Sequence, residues 1–228
     1  MPIGLRAFLE IDRPDPELVD KFRGIPSANI GDVVKRMNCM FGGIRPFNKQ
    51  SLVGVACTVK VPSGDNLVAQ MALDYAKPGD IIVIDGGGYK DRALVGGMML
   101  TYAEEMGLGG FIVNGAVRDL DDIAKSKLPV FAIASTPTGP DRDGPGEVNV
   151  PVVCGGQVVM PGDIVVGDSD GIVVIPKNDA EEVLELVKKN LAMEQQEMER
   201  MRTGNYTREE HVDTFTKKFL KKGGTFAE

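Results

Sequence analysis

The sequence predicts a layered α/β fold, and three observations support that prediction. Apolar segments of strand length alternate with amphipathic helical segments along about the first 135 residues. Residues 81–84 are apolar throughout, as expected of a strand that is covered on both faces. After residue 146 the pattern changes to short strands separated by glycine-rich turns, which predicts a compact β unit packed on the α/β part.

Local patterns predict the elements of the first part. Asp15 begins a helix start motif, and Ser27 can cap the next helix. Residues 85–88 are expected to form a loop at the end of a strand, and Asn114-Gly115 a turn after another. The predicted helices span residues 17–23, 27–37, 67–76, 96–106 and 119–125, and the predicted strands span residues 51–61, 81–84, 110–113 and 130–134.

The second part is predicted to end in two helices. Asn178 can cap a helix over residues 179–202, and Thr207 starts a capping box for a final helix. We therefore expect one domain over residues 1–204 and a helical extension over residues 205–228. Such an extension often packs on a neighbouring subunit, although packing on the chain's own core is the alternative. The short strands before these helices are predicted over residues 148–153, 157–160, 164–166 and 172–175.

The bulk composition excludes several classes of protein. A formal net charge of −7 argues against a nucleic-acid partner that is held through its phosphates. The three cysteines form no CxxC pair, so neither a zinc knuckle nor a disulfide framework is predicted. The sequence has no signal-peptide pattern and no run of about 18 apolar residues. We therefore expect a cytoplasmic protein that does not cross a membrane.

The single histidine limits the kinds of site that the chain can build. His211 lies in a charged stretch near the C-terminus, where an exposed helical position is expected. A metal site with two or three imidazoles is excluded, and a Ser-His-Asp triad is not expected. If a metal is bound, the oxygen-rich composition favours Mg²⁺ or Mn²⁺ over zinc.

Residues 96–122 carry the strongest indication of function. Gly96 and Gly97 open a helix, whose first amide groups are free to hold an anion. Arg118 and Asp119 follow a buried strand, at the kind of position where sites are built in α/β proteins. Together they offer a place for a carboxylate, a fixed positive charge and an oxygen ligand for a metal. The sequence therefore predicts a small-molecule site here.

Other motifs in the chain have less specific interpretations. The glycine run after Asp85 lacks the spacing of a dinucleotide fingerprint, so a nucleotide pocket is not favoured. Asp85 itself can be a ligand or a cap of the glycine turn. Asp121 and Asp122 fit the first turn of a helix, where carboxylates interact favourably with the helix dipole. That explanation suits Arg118-Asp119 less well, because an arginine gains nothing at a helix N-terminus.

The chain resembles the proteins related to regulator of ribonuclease activity A, which include 4-hydroxy-4-methyl-2-oxoglutarate aldolases. The resemblance covers about residues 25–204. It is carried by Pro78-Gly-Asp80 with residues 81–88, Ala93-Leu-Val-Gly-Gly97, Gly115-Ala-Val-Arg-Asp119, Gly146-Glu-Val-Asn-Val-Pro151, and Pro161-Gly-Asp163 with Asp168-Ser-Asp-Gly171.

The resemblance implies an α/β/β sandwich, similar to swivelling β/β/α domains, that assembles as a homotrimer or homohexamer. It also implies that the amides of Gly96, Gly97, Met98 and Met99 hold the carboxylate of a 2-oxo acid. Arg118 would contact the keto or enolate oxygen. Asp119 would anchor a divalent metal, largely through waters. Glu194 matches a glutamate that reaches the site from a neighbouring subunit.

These roles agree with the chemistry of carbon–carbon cleavage beside a keto group. Such cleavage leaves a pyruvate enolate, whose charge a metal and an arginine can stabilise. We therefore expect a lyase that decarboxylates oxaloacetate, cleaves 4-hydroxy-4-methyl-2-oxoglutarate-type substrates, or does both. Aldolase members of the family carry an aspartate where this chain has Gly97, which favours decarboxylation over the aldol reaction. The alternative is a non-catalytic regulator that binds and inhibits a ribonuclease or another protein.

Overall fold

The computed structural model describes residues 2–226, and the chain divides into two compact units, Met1–Leu184 and Glu185–Glu228. The boundary lies within a long helix, twenty residues before the one expected from the sequence. Every strand of the described chain belongs to the first unit.

The first unit consists of a mixed sheet with short helices, which confirms the predicted α/β class. Its strands are β1 (Leu5–Ala7), β2 (Arg45–Pro46), β3 (Leu52–Lys60), β4 (Ile81–Val95), β5 (Gly110–Val117), β6 (Val130–Ser135), β7 (Gly146–Val148), β8 (Val152–Cys154), β9 (Gln157–Val159), β10 (Ile164–Gly167) and β11 (Ile172–Ile175). Its helices are α1 (Pro16–Asp20), α2 (Ser27–Val33), α3 (Leu67–Ala72), α4 (Gly97–Glu105) and α5 (Leu120–Lys125), and α6 (Ala180–Arg202) begins in it.

The strands β3, β4, β5 and β6 form a parallel core in that order. β3 is shared between two antiparallel partners, since its first half pairs with β10 and its last two residues pair with β7. β10 in turn pairs with β11, and β8 and β9 form a separate two-stranded ribbon. The short strands after residue 146 thus extend the central sheet and add a ribbon to it.

The core of the first unit lies on both faces of the sheet. Successive side chains of a strand point to opposite faces, so Ile82 and Ile84 pack in one apolar cluster, and Ile81 and Val83 in the other. The first cluster includes residues of α3, α4 and α5, and the second includes residues of β8 to β11. This arrangement gives helices, sheet and β elements in three layers, and it explains why residues 81–84 are apolar throughout.

Two predicted turns are wrong, because the structure extends both strands through them. β4 continues through residues 86–88 to Val95, and β5 continues through Asn114 and Gly115 to Val117. The two strands remain paired, with register shifts after Asp85. Such shifts resemble β-bulges, and the positive φ angles of Gly87 and Gly88 permit them at little steric cost.

The predicted cap at Ser27 is also wrong. α2 has Pro26 at its N-cap, and Ser27 instead donates from its amide and hydroxyl to the Asp168 carboxylate, both at 2.7 Å. Burial raises the pKa of Asp168, but hydrogen bonds from Ser27, Asp170 and Gly171 outweigh this effect and hold the pKa below its usual value. Ser27 therefore ties α2 to the turn before β11.

The second unit contains most of α6 and the helix α7 (Arg208–Lys221). The predicted cap of the last helix is confirmed, since the Thr207 hydroxyl accepts from the Glu210 amide at 3.1 Å. The Glu210 side chain contacts Arg200 at 2.6 Å rather than completing the capping box. No helix among residues 2–226 combines the length and apolar character needed to cross a membrane.

Candidate active site

The predicted site lies where β4 and β5 end side by side. Val95 and Val117 are register partners at the ends of these parallel strands, and the Arg118 amide donates to the Val95 carbonyl at 3.0 Å. Gly96 and Arg118 therefore leave the sheet at the same edge. This is the carboxyl edge of the parallel strands, where α/β proteins commonly bind ligands.

Gly96 permits a close approach between the two chain segments. It has extended backbone (φ −149°) and caps α4 without a side chain. A Cβ atom at this position would lie 2.6 Å from Asp119 Oδ2 and 3.0 Å from Arg118 Nε. The side chain of any larger residue would push the Arg118 and Asp119 side chains away from the start of α4. The close contact between the two segments therefore favours glycine at position 96.

Asp119 has an unusual backbone and an unusual hydrogen bond. Its φ of 59° and ψ of 49° place it in the left-handed region, which few non-glycine residues adopt. It is the N-cap residue of α5 but makes no side-chain cap there. Its Oδ2 atom instead accepts from the Gly97 amide at 2.8 Å, at the N-terminus of α4. The partial positive charge of that helix end stabilises the carboxylate.

Arg118 lies beside this carboxylate without a tight ion pair. Its Nε atom is 3.5 Å from Asp119 Oδ2, and both side chains are more than one-third exposed. A Cβ atom at Gly139 would lie only 2.9 Å from Arg118 Nη1, so the loop before β7 forms a wall against the guanidinium. The remaining guanidinium donors are available to an oxygen of a bound molecule.

Asp122 also lies at the site, although the sequence interpretation gives it no catalytic or binding role. A Cβ atom at Gly97 would lie 2.8 Å from Asp122 Oδ2. The Asp122 carboxylate thus reaches the space that a side chain at position 97 would enter. Its spacing from Asp119, three residues along the chain at the start of a helix, is the pattern that could have revealed it, because such residues share a face.

A groove of about 1260 Å³ opens beside these residues. α3 and α4 supply most of its lining, and Asp74, Asp119, Asp122 and Arg142 complete it. On its wall the Tyr102 hydroxyl donates to Asp74 Oδ1 at 2.6 Å, which raises the pKa of Tyr102. The groove is large enough for a small organic acid together with ordered water.

A second, narrow cavity of about 20 Å³ adjoins the same residues. It is lined by Asn66, Gly96, Met99, Arg118 and Arg142, among others. Asn66 is 3% exposed and donates to the Leu94 carbonyl at 2.8 Å, whereas its Oδ1 atom has no hydrogen-bond partner. A buried acceptor without a donor is costly, so this cavity suits a water or a donor group of a ligand.

The structure brings together most of the residues that the sequence predicts for the site. Gly96, Gly97, Met98 and Met99 form the start of α4, next to Arg118 and Asp119. The Gly97 amide donates to Asp119, so a substrate carboxylate would share this helix end with that side chain. Glu194 belongs to the second unit, and its proposed contact from a neighbouring subunit stays a prediction.

The donor set at Asp119 fits a hydrated divalent cation. The hydrogen bond and the ion pair of this carboxylate both use Oδ2, which leaves Oδ1 for a metal. Among residues 2–226, no group of three or more His, Cys, Asp or Glu side chains could hold a metal ion. A cation here would have few protein ligands and several waters, which is the coordination that Mg²⁺ prefers.

Sequence comparison gives close relatives of this chain. Residues 18–174 match the family model described as RraA-like, Aldolase/RraA. A protein of Halalkalibacterium halodurans named "Putative 4-hydroxy-4-methyl-2-oxoglutarate aldolase" is 41% identical over 177 residues, which cover 77% of this chain and 84% of that protein.

Solved structures show the same fold. RraAS2 of Streptomyces coelicolor, described as an unusual member of the RNase ES inhibitor RraA protein family, is 28% identical with a TM-score of 0.74, and the match covers 84% of this chain and all of that one. The RNA-processing inhibitor RraA of Thermus thermophilis is 29% identical with a TM-score of 0.62, over 66% of this chain and 92% of that one. The resemblance predicted from the sequence is confirmed, and the chain belongs to the RraA-like family of aldolases and RraA proteins.

Proposed function

We propose that this protein is a lyase that cleaves a carbon–carbon bond of small 2-oxo acids and releases pyruvate, and that it depends on Mg²⁺ or Mn²⁺. The observation that carries this proposal is the left-handed Asp119, which places a carboxylate on the first amide of α4 beside Arg118. The names of the curated relatives support the same class of reaction.

Arg118 and the start of α4 would bind and orient the substrate. The amides at the helix N-terminus attract the carboxylate next to the keto group, and Met98 at 81% exposure leaves this end of the helix open to the groove. The Arg118 guanidinium would donate to the keto oxygen, on which negative charge develops as the bond breaks. A divalent cation held by Asp119 would act as a Lewis acid at that oxygen.

Asp122 would move the proton that an aldol cleavage requires. When the bond between C3 and C4 of a 4-hydroxy-2-oxo acid breaks, the C4 hydroxyl loses its proton and becomes a carbonyl. Asp122 reaches the space beside Gly97 where an aspartate at position 97 would act, so its carboxylate can accept this proton. Decarboxylation of oxaloacetate needs no such acceptor. The presence of Gly97 therefore permits both reactions.

The test is pyruvate release from oxaloacetate and from 4-hydroxy-4-methyl-2-oxoglutarate, measured with and without EDTA. We expect release from both substrates, loss of activity with EDTA, and recovery when Mg²⁺ or Mn²⁺ is added. Asp122→Asn should impair the aldol cleavage much more than the decarboxylation. An absence of metal-dependent pyruvate release from both substrates would refute the proposed function.

We also propose that the active form is a homotrimer or homohexamer in which Glu194 of one subunit reaches the site of the next. The acid would position the water or proton donor that completes the reaction. Sedimentation equilibrium tests the assembly, and a mixture of Glu194→Gln and Arg118→Ala subunits tests the shared site. Recovery of activity on mixing two inactive variants is the expected result, and a monomer would contradict it.

Binding to a ribonuclease is the second candidate function. The likeness to RraA proteins described as inhibitors of RNA processing favours it. In that case the acidic surface of the chain would dock on a basic partner without turnover. Inhibition of a purified RNase E-type ribonuclease by the wild-type protein, with no turnover of either 2-oxo acid, would identify this function.

A further inference from the structure

The loop between β6 and β7 is tied to the body of the first unit on both sides of Arg142. Asp65 Oδ2 accepts from the Asp143 amide at 2.7 Å and from the Gly144 amide at 3.0 Å. On the other side, Asp141 forms an ion pair with Arg92, and its amide donates to the Gly64 carbonyl at 2.8 Å. The backbone that carries Arg142 is therefore fixed although the residue itself is exposed.

Arg142 borders both cavities of the site. It lines the large groove together with Asp119 and Asp122, and it also lines the narrow cavity together with Asn66 and Arg118. Within residues 2–226, no other residue outside α3 and α4 lines both spaces. Arg142 thus lies at the border between the narrow cavity beside Arg118 and the open groove.

Arg142 also differs from its neighbour Arg92 in its pairing. Arg92 is neutralised by Asp141, whereas no carboxylate among residues 2–226 lies within ion-pair distance of the Arg142 guanidinium. Two acidic groups of the same groove have other partners, since Asp119 contacts Gly97 and Arg118, and Asp74 accepts from Tyr102. A held arginine without a carboxylate partner, facing a ligand-sized groove, has the chemistry of an anion-binding group.

The narrow cavity adds a second polar requirement. Asn66 is almost fully buried, and its Oδ1 atom lacks a donor in the cavity that Arg142 and Arg118 line. A water molecule could supply that donor, since the cavity measures about 20 Å³. The negative charge of a ligand in the adjoining groove would then meet Arg142, which lines both spaces.

We infer that Arg142 binds the distal carboxylate of a dicarboxylic 2-oxo acid and so selects dicarboxylates over monocarboxylates of the same length. This inference rests on the proposed function for the other end of the substrate. Arg118 would orient the keto end, and Arg142 would hold the end that leaves with the second product.

The chemistry predicts a specific kinetic pattern. In an aldol cleavage the distal carboxylate keeps its charge throughout, so Arg142 binds the ground state and the transition state equally. Its loss should raise KM with little change in kcat. In oxaloacetate decarboxylation that carboxylate becomes neutral CO₂, so a group that stabilises its charge favours the ground state and opposes the reaction. There, loss of Arg142 should raise KM without lowering kcat.

The experiment compares Arg142→Gln with the wild type on two matched substrates. One is 4-hydroxy-4-methyl-2-oxoglutarate, and the other is 4-hydroxy-4-methyl-2-oxopentanoate, in which a methyl group replaces the distal carboxylate. We expect KM for the dicarboxylate to rise about 10- to 100-fold, as for a lost charge-assisted hydrogen bond, and KM for the monocarboxylate to change less than about twofold. Arg142→Lys should restore part of the difference.

Two control variants distinguish the effect of losing the Arg142 charge from the effect of disturbing the loop that carries Arg142. Arg36→Gln removes a positive charge from an exposed helix-end position and should leave both substrates unaffected. Arg92→Gln loosens the loop without removing the Arg142 charge, so it should raise KM for the dicarboxylate less than Arg142→Gln does and leave KM for the monocarboxylate unchanged. Equal effects of Arg142→Gln on the two substrates, or no effect on either, would overturn the inference.

Calorimetric binding gives a readout that does not depend on turnover. Wild-type protein and Arg142→Gln are titrated with 2-oxoglutarate and with 2-oxopentanoate, in which a methyl group replaces the distal carboxylate, in the presence of Mg²⁺. A preference of the wild type for 2-oxoglutarate that disappears in Arg142→Gln supports the inference even if neither substrate is cleaved. Without such a preference the inference fails, whatever the fate of the proposed lyase activity.

Discussion

Two Arg-Asp pairs in the first unit show opposite designs. Arg13 and Asp80 form a two-pronged ion pair at the start of β4, with side chains that are 19% and 3% exposed. Asp80 Oδ2 also accepts from the Lys77 amide at 2.8 Å. Arg118 and Asp119 follow β5, whose last residue pairs with the last residue of β4. Their side chains are 3.5 Å apart and are 34% and 40% exposed.

The first pair has a structural role, whereas the second leaves polar atoms available for a ligand. Both oxygens of Asp80 are engaged, so this pair holds the strand start in place and has no capacity for a ligand. In the Arg118-Asp119 pair, one carboxylate oxygen and most guanidinium donors are available to a ligand. The left-handed backbone of Asp119 places its carboxylate in this position. Backbone strain of this kind is typical of functional sites.

The largest effect is expected at Asp119. Asp119→Asn keeps a residue type that tolerates the left-handed backbone, and its amide oxygen can still accept from Gly97. It removes the charge that would hold the cation. We expect kcat/KM for pyruvate release to fall about 10³-fold, with the free energy of unfolding within about 1 kcal/mol of wild type.

Asp121→Asn is the matched control for that variant. Asp121 is exposed in the first turn of α5 and takes no part in the described site. It should change kcat/KM by less than about twofold, since only a small interaction with the helix dipole is lost. Equal losses in the two variants would show that Asp119 has no special role and that the pairs do not differ in function.

The second effect is on stability and is expected at Asp80. Asp80→Asn leaves the half-buried Arg13 charge without a carboxylate, which should lower the free energy of unfolding by about 3 kcal/mol. Chemical denaturation measures this loss. Asp12→Asn breaks an exposed ion pair with Lys177 and should cost less than about 1 kcal/mol. The kcat of folded Asp80→Asn enzyme should be unchanged, and a large fall would place Asp80 in the catalytic machinery.

The sequence predicted those parts of the molecule that depend on local patterns. Alternating and continuous apolar residues identified the parallel strands, and paired glycines before a helix identified the start of α4. Arg118 and Asp119 were found because they follow a predicted strand and turn, a position where α/β proteins build their sites. These features need only a few neighbouring residues to be recognised.

The parts that were missed depend on contacts between distant residues. Arg13 meets Asp80 across 67 positions, and Ser27 meets Asp168 across 141, so neither partner is visible locally. The role of Asp122 depends on how closely α5 approaches Gly97. The strands β4 and β5 continue past their glycine and Asn-Gly segments because each supplies the ladder for the other, and such pairing overrides turn propensity.

The smallest effect tests whether the open geometry of Arg118 depends on its surroundings. Gly139 has no left-handed backbone, so Gly139→Ala introduces only a Cβ atom, which would meet Arg118 Nη1 at 2.9 Å. We expect the guanidinium to shift and kcat to fall about tenfold, because the orientation of the substrate depends on the position of that guanidinium.

Gly42→Ala is a matched control, since its Cβ atom would lie 3.1 Å from a guanidinium nitrogen of Arg45. If both variants leave kcat unchanged, Arg118 is mobile and the loop wall does not position it. A loss confined to Gly139→Ala would show that the loose Arg-Asp pair is held in place by the loop rather than by its own ion pair.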